Sequence, residues 1–312
     1  MTTPKIIANS WFLTGPTASG KTAVGLELAR LSGAEIISLD SMAVYRGMDI
    51  GTAKPTLDER RAVSHHLVDI LEPNEEFSVA QYVATARVAA EDVAARGRVP
   101  LFVGGTPLYL KALLRGIFSG PPADWELRHQ LQAEVERDGP HGLHARLARV
   151  DPVSARRLHV EDTRRVIRAM EVWEKTGQSI TDLQRQFDHA RAADECRVAV
   201  LDWPRAELVE RINARVDAMF ASGLVAEVHS LTDRWAPLSR TASQALGYRE
   251  VFEHLRGERD LAETIALVKL RTRQFAKRQM TWFRSLSECR FVSMATPCDG
   301  LAIARRIAEE WS

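Results

Sequence analysis

Residues 15–22 read Gly-Pro-Thr-Ala-Ser-Gly-Lys-Thr, and this segment constrains the fold more than any other. It fits the pattern G-x-x-x-x-G-K-[ST], whose glycines allow a tight loop with backbone N–H groups pointing at phosphate oxygens. The apolar residues 11–14 before it predict a buried strand, and residues 23–29 after it predict a helix whose positive dipole end faces the phosphate. The segment therefore predicts a strand, a loop and a helix that bind a diphosphate or triphosphate. Lys21 would add a charge, and the Thr22 hydroxyl would hold a divalent cation.

Composition excludes some classes of protein without choosing a partner. With 42 basic and 41 acidic residues among 312, overall charge implies no partner, so any nucleic-acid surface must be a local patch. Cys196, Cys289 and Cys298 are widely spaced and form no C-x-x-C pair or zinc set, which favours a reducing, cytoplasmic setting. There is no run of about 18 apolar residues and no signal-peptide core at the start. We expect a cytoplasmic protein that has no membrane contact.

The first ~115 residues alternate predicted strands and helices, which is typical of a parallel sheet. Residues 34–39 and 99–103 read as strands, and residues 78–96 read as a helix. Ligands of such sheets bind at the carboxyl ends of the strands. Asp40-Ser41 and Gly104-Gly105-Thr106 follow two of these strands, so we expect both to converge with the loop at 15–22.

The composition changes between residues 117 and 196, where strand-like runs are absent. Asp124 can cap a helix that ends near Gly139, and a second helix is predicted over roughly 154–176. The predicted fold class is α/β: a parallel sheet flanked by helices, similar to that of P-loop NTPases, with an all-helical insert. The catalytic core comprises residues 1–116 and 197–312, and the insert comprises 117–196.

A basic helix is predicted over about 261–286. On a helical wheel its basic side chains cluster on one face, namely Arg273, Lys277 and Arg284. The apolar residues on the opposite face are Phe275, Trp282 and Leu286. This pattern indicates either a surface for anions or nucleic acid, or a solvated helix face.

These residues alone leave three classes open. One is a nucleotide-dependent kinase of a small molecule, and another is a transferase that holds a diphosphate leaving group and modifies a nucleic acid. A GTPase-type switch is a weaker third, because no N/T-K-x-D segment occurs. Asp40 could serve Mg²⁺ or act as a catalytic base, or else cap a turn; Thr106 could present its hydroxyl to substrate or belong to a turn.

Six segments in order along the chain decide among these classes. They are Gly-Pro-Thr-Ala-Ser-Gly-Lys-Thr at 15–22, Asp-Ser-Met-Ala-Val-Tyr-Arg-Gly-Met-Asp-Ile-Gly-Thr-Ala-Lys-Pro at 40–55, Gly-Gly-Thr-Pro-Leu-Tyr at 104–109, Arg-Arg-Val-Ile-Arg-Ala-Met-Glu-Val at 164–172, Ala-Leu-Gly-Tyr-Arg-Glu at 245–250, and Arg-Gln-Phe-Ala-Lys-Arg-Gln-Met-Thr-Trp-Phe-Arg at 273–284. Taken together, they resemble the tRNA dimethylallyltransferase family. The chain ends at Ser312 without the C-terminal zinc-finger extension of eukaryotic members, so we expect a bacterial type.

The resemblance implies transfer of a dimethylallyl group from dimethylallyl diphosphate to N6 of adenine 37 in tRNA. Its catalytic residues would be Asp40 as the base, Thr106 as a hydrogen-bond partner near the reacting centre, and Lys21 as a charge on the departing diphosphate. Thr22 would hold Mg²⁺. The residues implied to bind the diphosphate are Gly15, Pro16, Thr17, Ala18, Ser19, Gly20, Lys21, Thr22 and Arg215, with Arg211 as the alternative to Arg215.

The resemblance also implies contacts with the tRNA anticodon stem-loop, which the insert would clamp. The residues concerned are Asp40, Ser41, Met42, Ala43, Thr106, Arg128, Arg164, Arg165, Val166, Ile167, Arg168, Gln244, Ala245, Leu246, Gly247, Tyr248, Arg249, Lys277, Arg278, Gln279, Met280, Thr281, Trp282, Phe283 and Arg284. Ala43 departs from the longer residue that many members carry. A monomer is expected. The alternatives are an adenylate isopentenyltransferase that acts on free AMP, ADP or ATP, and a P-loop small-molecule kinase.

Overall fold

The computed structural model describes residues 9–118, 120–184, 190 and 192–311. Within them, the strands form one six-stranded sheet in the order β3-β2-β4-β1-β5-β6, and every neighbouring pair is parallel. The strands are β1 (Trp11–Thr14), β2 (Ala34–Ser38), β3 (His65–His66), β4 (Val99–Gly104), β5 (Arg197–Asp202) and β6 (Arg290–Ser293). The predicted α/β class with a parallel sheet is confirmed.

Helices account for most of the remaining described residues. They are α1 (Lys21–Ser32), α2 (Leu57–Ala62), α3 (Val79–Ala95), α4 (Pro107–Arg115), α5 (Trp125–Asp138), α6 (Pro140–Val150), α7 (Pro152–Arg157), α8 (Thr163–Thr176), α9 (Ile180–Leu183), α10 (Arg205–Ala221), α11 (Leu224–Trp235), α12 (Arg240–Ser243), α13 (Tyr248–Leu255), α14 (Leu261–Arg284) and α15 (Gly300–Trp311). A 3₁₀ turn at Ala193–Glu195 precedes β5.

The sheet is buried on both faces, as expected for parallel strands covered by helices. Alternate residues of β1 point to opposite faces. Phe12 stacks on Phe102 of β4, with ring centroids 4.9 Å apart, in the cluster that α3, α4 and α14 cover. Leu13 belongs to the other cluster, which α1 and α15 cover. The strand ends are thereby held at fixed positions beneath the loops that follow them.

Two glycines permit backbone geometry beside these loops that a side chain would hinder. Gly20 has φ 88° at the start of α1, a conformation that side-chain-bearing residues rarely adopt. A Cβ atom at Gly104 would lie 2.2 Å from the carbonyl oxygen of Leu39. The ends of β2 and β4 can therefore pack closely, which brings the segments after them together.

The chain forms two compact units. One is all-helical and contains the described residues from 115 to 184, with a core built around residues such as Leu143, Leu147 and Met170. The other contains the sheet and includes residues 190 and 192–196, which the prediction assigned to the insert. Residues 192–196 belong with the sheet because the turn leads directly into β5, and the Nε of Arg290 donates to the Ala193 carbonyl, 3.1 Å away.

One predicted helix is interrupted. The helix predicted over 154–176 is divided in two: α7 ends at Arg157, and α8 begins at Thr163. After Pro204, α10 runs to Ala221, and Gly223 with φ 98° separates it from α11. No helix of the described residues is both long enough and apolar enough to cross a membrane.

Candidate active site

The loop at 15–22 follows β1 and is held from outside by two side chains. The indole Nε1 of Trp203 donates to the Ser19 carbonyl at 2.9 Å, and the Nε of Arg211 donates to the Ala18 carbonyl at 2.9 Å. The Arg211 guanidinium also lies 4.2 Å from the centre of the Trp203 ring, a favourable cation–π geometry. Arg211, the alternative candidate for diphosphate binding, thus uses its Nε to shape the loop.

Lys21 lies in the first turn of α1, and its ammonium group bends back over the loop. Its Nζ donates to the carbonyl oxygens of Gly15 at 3.0 Å and Pro16 at 2.8 Å. Burial and the charge of Arg215 lower the pKa of Lys21 to about 7, although the charge of Asp40 acts in the opposite direction. An anion bound here would favour the protonated form and so restore the charge of Lys21.

Arg215 of α10 faces the same cavity. Within the described part of the chain, its Nε is buried and has no hydrogen-bond partner. Burial lowers the pKa of Arg215, and the charge of Asp40 opposes that effect. A buried guanidinium nitrogen without a partner is uncommon in native structures, and a bound oxyanion would supply the missing acceptor.

Asp40 and Thr106 follow β2 and β4 and lie side by side. Oδ1 of Asp40 accepts from the Met42 N–H at 2.8 Å, so this carboxylate caps the turn after β2. Oγ1 of Thr106 accepts from the Ser41 N–H at 3.2 Å, which leaves its hydroxyl hydrogen available to donate. Both residues therefore have a structural role. Oδ2 of Asp40 and the hydroxyl hydrogen of Thr106 take no part in these two hydrogen bonds.

The three predicted clusters line one cavity of about 820 Å³ in the sheet unit. Lys21, Thr22, Asp40 and Thr106 contribute to its wall, as the positions of the strand ends predicted. Arg215 of α10 contributes as well. The apolar part of the lining includes Val216, Met219, Leu224, Leu246, Val268 and Phe275. The cavity can therefore bind an anionic group at the loop and an apolar group beside it.

One wall of this cavity depends on Glu227, which the sequence analysis did not single out. Its carboxylate accepts from the N–H groups of Asp49 at 3.0 Å, Ile50 at 2.7 Å and Gly51 at 3.2 Å. It also accepts from the Tyr248 hydroxyl at 2.6 Å. Glu227 thus fixes the 49–51 segment, which continues into the cavity wall at Gly51.

Comparison with known proteins places this site in a family. Residues 43–286 match the family model described as IPP transferase, and residues 8–69 match the one described as isopentenyl transferase. The chain belongs to the IPP transferase family. This agrees with the resemblance found in the six sequence segments.

Individual relatives of this IPP transferase cover most of its length. A tRNA dimethylallyltransferase 1 of Trichlorobacter lovleyi is 47% identical, covering 88% of this chain and 90% of that protein. A tRNA dimethylallyltransferase of Anaeromyxobacter dehalogenans is 47% identical, covering 94% and 97%. The crystal structure of the tRNA isopentenylpyrophosphate transferase of Bacillus halodurans superposes with TM-score 0.69 at 38% identity, covering 97% of each chain. The structure of a eukaryotic dimethylallyltransferase acting on tRNA superposes with a TM-score of 0.72 at 26% identity, covering 91% of this chain and 73% of that one.

The structure divides the residues implied to contact tRNA into exposed and buried members. Those with exposed side chains are Arg164, Arg165, Gln244, Lys277, Arg278, Thr281 and Arg284. The half-buried members are Asp40, Ser41, Met42, Thr106, Arg128, Arg168, Leu246, Arg249 and Trp282. The buried members are Ala43, Val166, Ile167, Ala245, Gly247, Tyr248, Gln279, Met280 and Phe283. A continuous run of residues on a helix includes positions that face the core. We therefore expect only the exposed and half-buried residues to contact tRNA through their side chains.

The apolar face of α14 is rotated from the predicted one, although Leu286, just beyond the helix, is buried as expected. Phe275, expected in the core, is 37% exposed and lines the cavity. The buried positions instead follow spacings of four and three along the helix: Val268, Thr272, Ala276, Met280 and Phe283. Of the predicted basic face, Arg273 donates to Oδ1 of Asn213 at 2.8 Å, whereas Lys277 and Arg284 are exposed.

In the helical unit, Arg128 and Arg168 share one buried carboxylate. Arg128 forms a two-pronged pair with Glu171, with both N–O distances 2.9 Å, and Arg168 pairs with the same group. Burial acts to raise the pKa of Glu171, but the hydrogen bonds from Arg128, the Asp124 N–H and Arg168 outweigh it and hold this pKa below its usual value. These arginines stabilise the unit, and their half-buried guanidinium groups are less available to RNA than Arg164 and Arg165.

Proposed function

We propose that this IPP transferase transfers a dimethylallyl group from dimethylallyl diphosphate to N6 of adenine 37 in tRNAs and releases diphosphate. The observation that carries the proposal is the single cavity that brings an anion-binding loop, Lys21 and Arg215 together with Asp40 and Thr106. The names of its relatives support the same reaction. An anion site beside a carboxylate and an apolar lining suits a prenyl diphosphate and an acceptor amine.

The loop side of the cavity would bind the leaving group. As the bond between carbon and oxygen breaks, negative charge grows on the departing diphosphate. Lys21, Arg215 and the loop N–H groups would stabilise that charge, and such fixed electrostatic stabilisation is a large contribution to catalysis in many enzymes. The loop thus serves carbon chemistry here instead of phosphoryl transfer.

Asp40 would take the proton from N6 of the adenine. N6 is a poor nucleophile because its lone pair is delocalised into the ring. Since Oδ1 caps the turn, Oδ2 is the atom we assign to the proton, and Thr106 would hydrogen-bond near the reacting centre. Holding both reactants in place can lower the barrier by about 7–11 kcal/mol. A general base typically raises the rate by roughly 10²–10⁴-fold, which corresponds to a smaller reduction of the barrier.

The site also suits Mg²⁺. This ion prefers oxygen ligands and is commonly held by one or two protein oxygens together with substrate phosphates. The Thr22 hydroxyl and the Asp40 carboxylate line the same cavity and offer such oxygens. Mg²⁺ bound at Thr22 would neutralise part of the diphosphate charge.

For tRNA, the target adenine must leave the stacked anticodon loop before it can reach the Asp40 carboxylate. Proteins stabilise such displaced bases with aromatic stacking and basic side chains. Lys277, Arg278 and Arg284 on α14 supply exposed charges for this, and Arg164 and Arg165 supply them on the helical insert, which we propose clamps the anticodon stem-loop. We also propose that the enzyme acts as a monomer, since described residues of one chain line both the anion-binding and the apolar side of the cavity.

The test is to incubate the protein with labelled dimethylallyl diphosphate and Mg²⁺, and to offer either unmodified tRNA or AMP as the acceptor. We expect label in tRNA alone, located at adenine 37 after nuclease digestion. Label in AMP would move the function to adenylate prenylation. ATP consumption with a small acceptor, and no transfer of label, would contradict the proposal and favour a kinase.

A further inference from the structure

Gln279 of α14 lies in the middle of the run expected to contact tRNA, yet it is 4% exposed. Both polar atoms of its side chain are used inside the protein. Oε1 accepts from the Thr17 N–H at 2.9 Å, and Nε2 donates to the Gly105 carbonyl at 2.6 Å. Gln279 therefore joins the phosphate-binding loop to the segment after β4.

The orientation of this amide follows from its partners. A backbone N–H can only donate and a backbone carbonyl can only accept, so Oε1 must face Thr17 and Nε2 must face Gly105. Asparagine is too short to reach both partners, and a carboxylate has no hydrogen to give to Gly105. The position thus requires the length of glutamine together with one donor and one acceptor.

The bond to Thr17 changes what the loop offers to an anion. The Thr17 N–H points at Gln279, so it is not one of the amides that bind phosphate. Farther along the loop, Arg211 and Trp203 hold the carbonyls of Ala18 and Ser19. Side chains from α14, from α10 and from the segment before α10 thus hold consecutive residues of the loop, which shapes it before any ligand arrives.

We propose that Gln279 is a positioning residue for the diphosphate and not a contact to tRNA. It fixes the loop at Thr17 against Gly105, and this keeps the remaining amides and Lys21 in the arrangement that binds the leaving group. Preorganisation of this kind raises affinity because less order has to be imposed on binding. The inference rests on the proposed function of the loop.

The first test compares Gln279→Met with the wild type. Methionine has similar length and removes both hydrogen bonds. Calorimetry with inorganic diphosphate and Mg²⁺ should show affinity lowered about tenfold, whereas tRNA affinity measured by filter binding should change less than about twofold. Gln132→Met is the matched control, because Gln132 is a half-buried glutamine of α5 whose amide donates to Glu136, away from the phosphate-binding loop; both affinities should stay at wild-type values.

A second variant separates positioning from a general loss of packing. In Gln279→Glu, the ionised carboxylate can accept from Thr17 but opposes the Gly105 carbonyl and the diphosphate, so affinity at pH 8 should fall at least tenfold. At pH 5.5 a protonated carboxyl group can again donate to Gly105 while accepting from Thr17. Affinity relative to wild type at the same pH should then recover to within about threefold, and Gln279→Met should show no recovery.

Three results would overturn the inference. Wild-type diphosphate affinity in Gln279→Met would remove the positioning role, and lost tRNA affinity with intact diphosphate affinity would restore the contact role. An equal loss of diphosphate affinity in Gln279→Glu at pH 8 and pH 5.5 would show that the residue contributes only packing. If the wild-type protein itself bound no diphosphate, the proposed function would fail and the inference with it.

Discussion

Replacement of Lys21 by methionine should make the folded protein more stable while it abolishes turnover. The reason is the burial of the ammonium beside Arg215, which lowers the pKa of Lys21 from 10.5 to about 7. A tenfold change in an ionisation equilibrium corresponds to ~1.4 kcal/mol, so the ionised lysine destabilises the fold by roughly 5 kcal/mol at or below pH 7. Methionine would leave the two loop carbonyls without this donor, which offsets about 1–3 kcal/mol of the gain.

The pH dependence distinguishes this cause from simple packing. Between about pH 7 and 10.5 the unfolded chain keeps the Lys21 proton and the folded protein has released it, so wild-type stability rises with pH across this window. For a folded pKa of about 7, the rise between pH 7 and pH 9 is roughly 2 kcal/mol. Lys21→Met cannot show this rise, because methionine does not titrate.

Urea unfolding followed by tryptophan fluorescence measures both variants at the two pH values. We expect Lys21→Met to be more stable by about 2–4 kcal/mol at pH 7 and its advantage to shrink by about 2 kcal/mol at pH 9. Lys277→Met is the matched control, since Lys277 is exposed on α14 and its ammonium stays hydrated in both states. An advantage that is constant with pH, or a less stable Lys21→Met at pH 7, would refute the reasoning.

Three further predictions concern the proposed site. Asp40→Asn keeps an oxygen for the Met42 N–H, so tRNA and diphosphate binding should persist while the turnover number falls about 10²–10⁴-fold; a normal rate would exclude Asp40 as the base. Arg215→Met should lower diphosphate affinity about 10–100-fold, as expected for a lost bond to a charged group. The melting temperature should not fall, because the buried Nε has no partner among the described residues. Unchanged affinity in calorimetry would place the diphosphate elsewhere. Lys277→Ala with Arg278→Ala should weaken tRNA binding and reduce the slope of log K against log salt by about 0.7 per lost phosphate contact; Lys269→Ala, on the same helix but paired with Asp217, should leave the slope unchanged, and an unchanged slope in the double variant would remove these residues from the RNA surface.

The parts of this site that follow from local sequence are those at strand ends. Short apolar runs that stop at glycine or at a polar residue predict β1, β2 and β4. In a parallel sheet, the residues after such strands have to meet at one edge. Asp40, Thr106 and Lys21 could therefore be placed together before any coordinates were known.

The residues that hold the site in shape could not be found in this way. Gln279, Glu227 and Trp203 act through contacts with residues far away in the chain, for example Gln279 with Thr17. Nothing in the local pattern around them differs from an ordinary helix or turn residue. The phase of α14 was also wrong, because Phe275 was assumed to be core and instead lines the cavity.

The electrostatics of the cavity explain why a nucleotide-type loop would suit the proposed diphosphate leaving group. Burial and the charge of Arg215 lower the pKa of Lys21 to about 7, and Arg215 has a buried nitrogen without a partner among the described residues, so the protein's own groups do not fully compensate the burial of these two cations. An anion supplies the missing compensation, and its effect grows with the negative charge of the anion. A diphosphate that is leaving carbon bears more charge than one still esterified to it. The site should therefore bind the transition state more tightly than the substrate, which is the condition for catalysis, and the loop needs no phosphoryl transfer to achieve it.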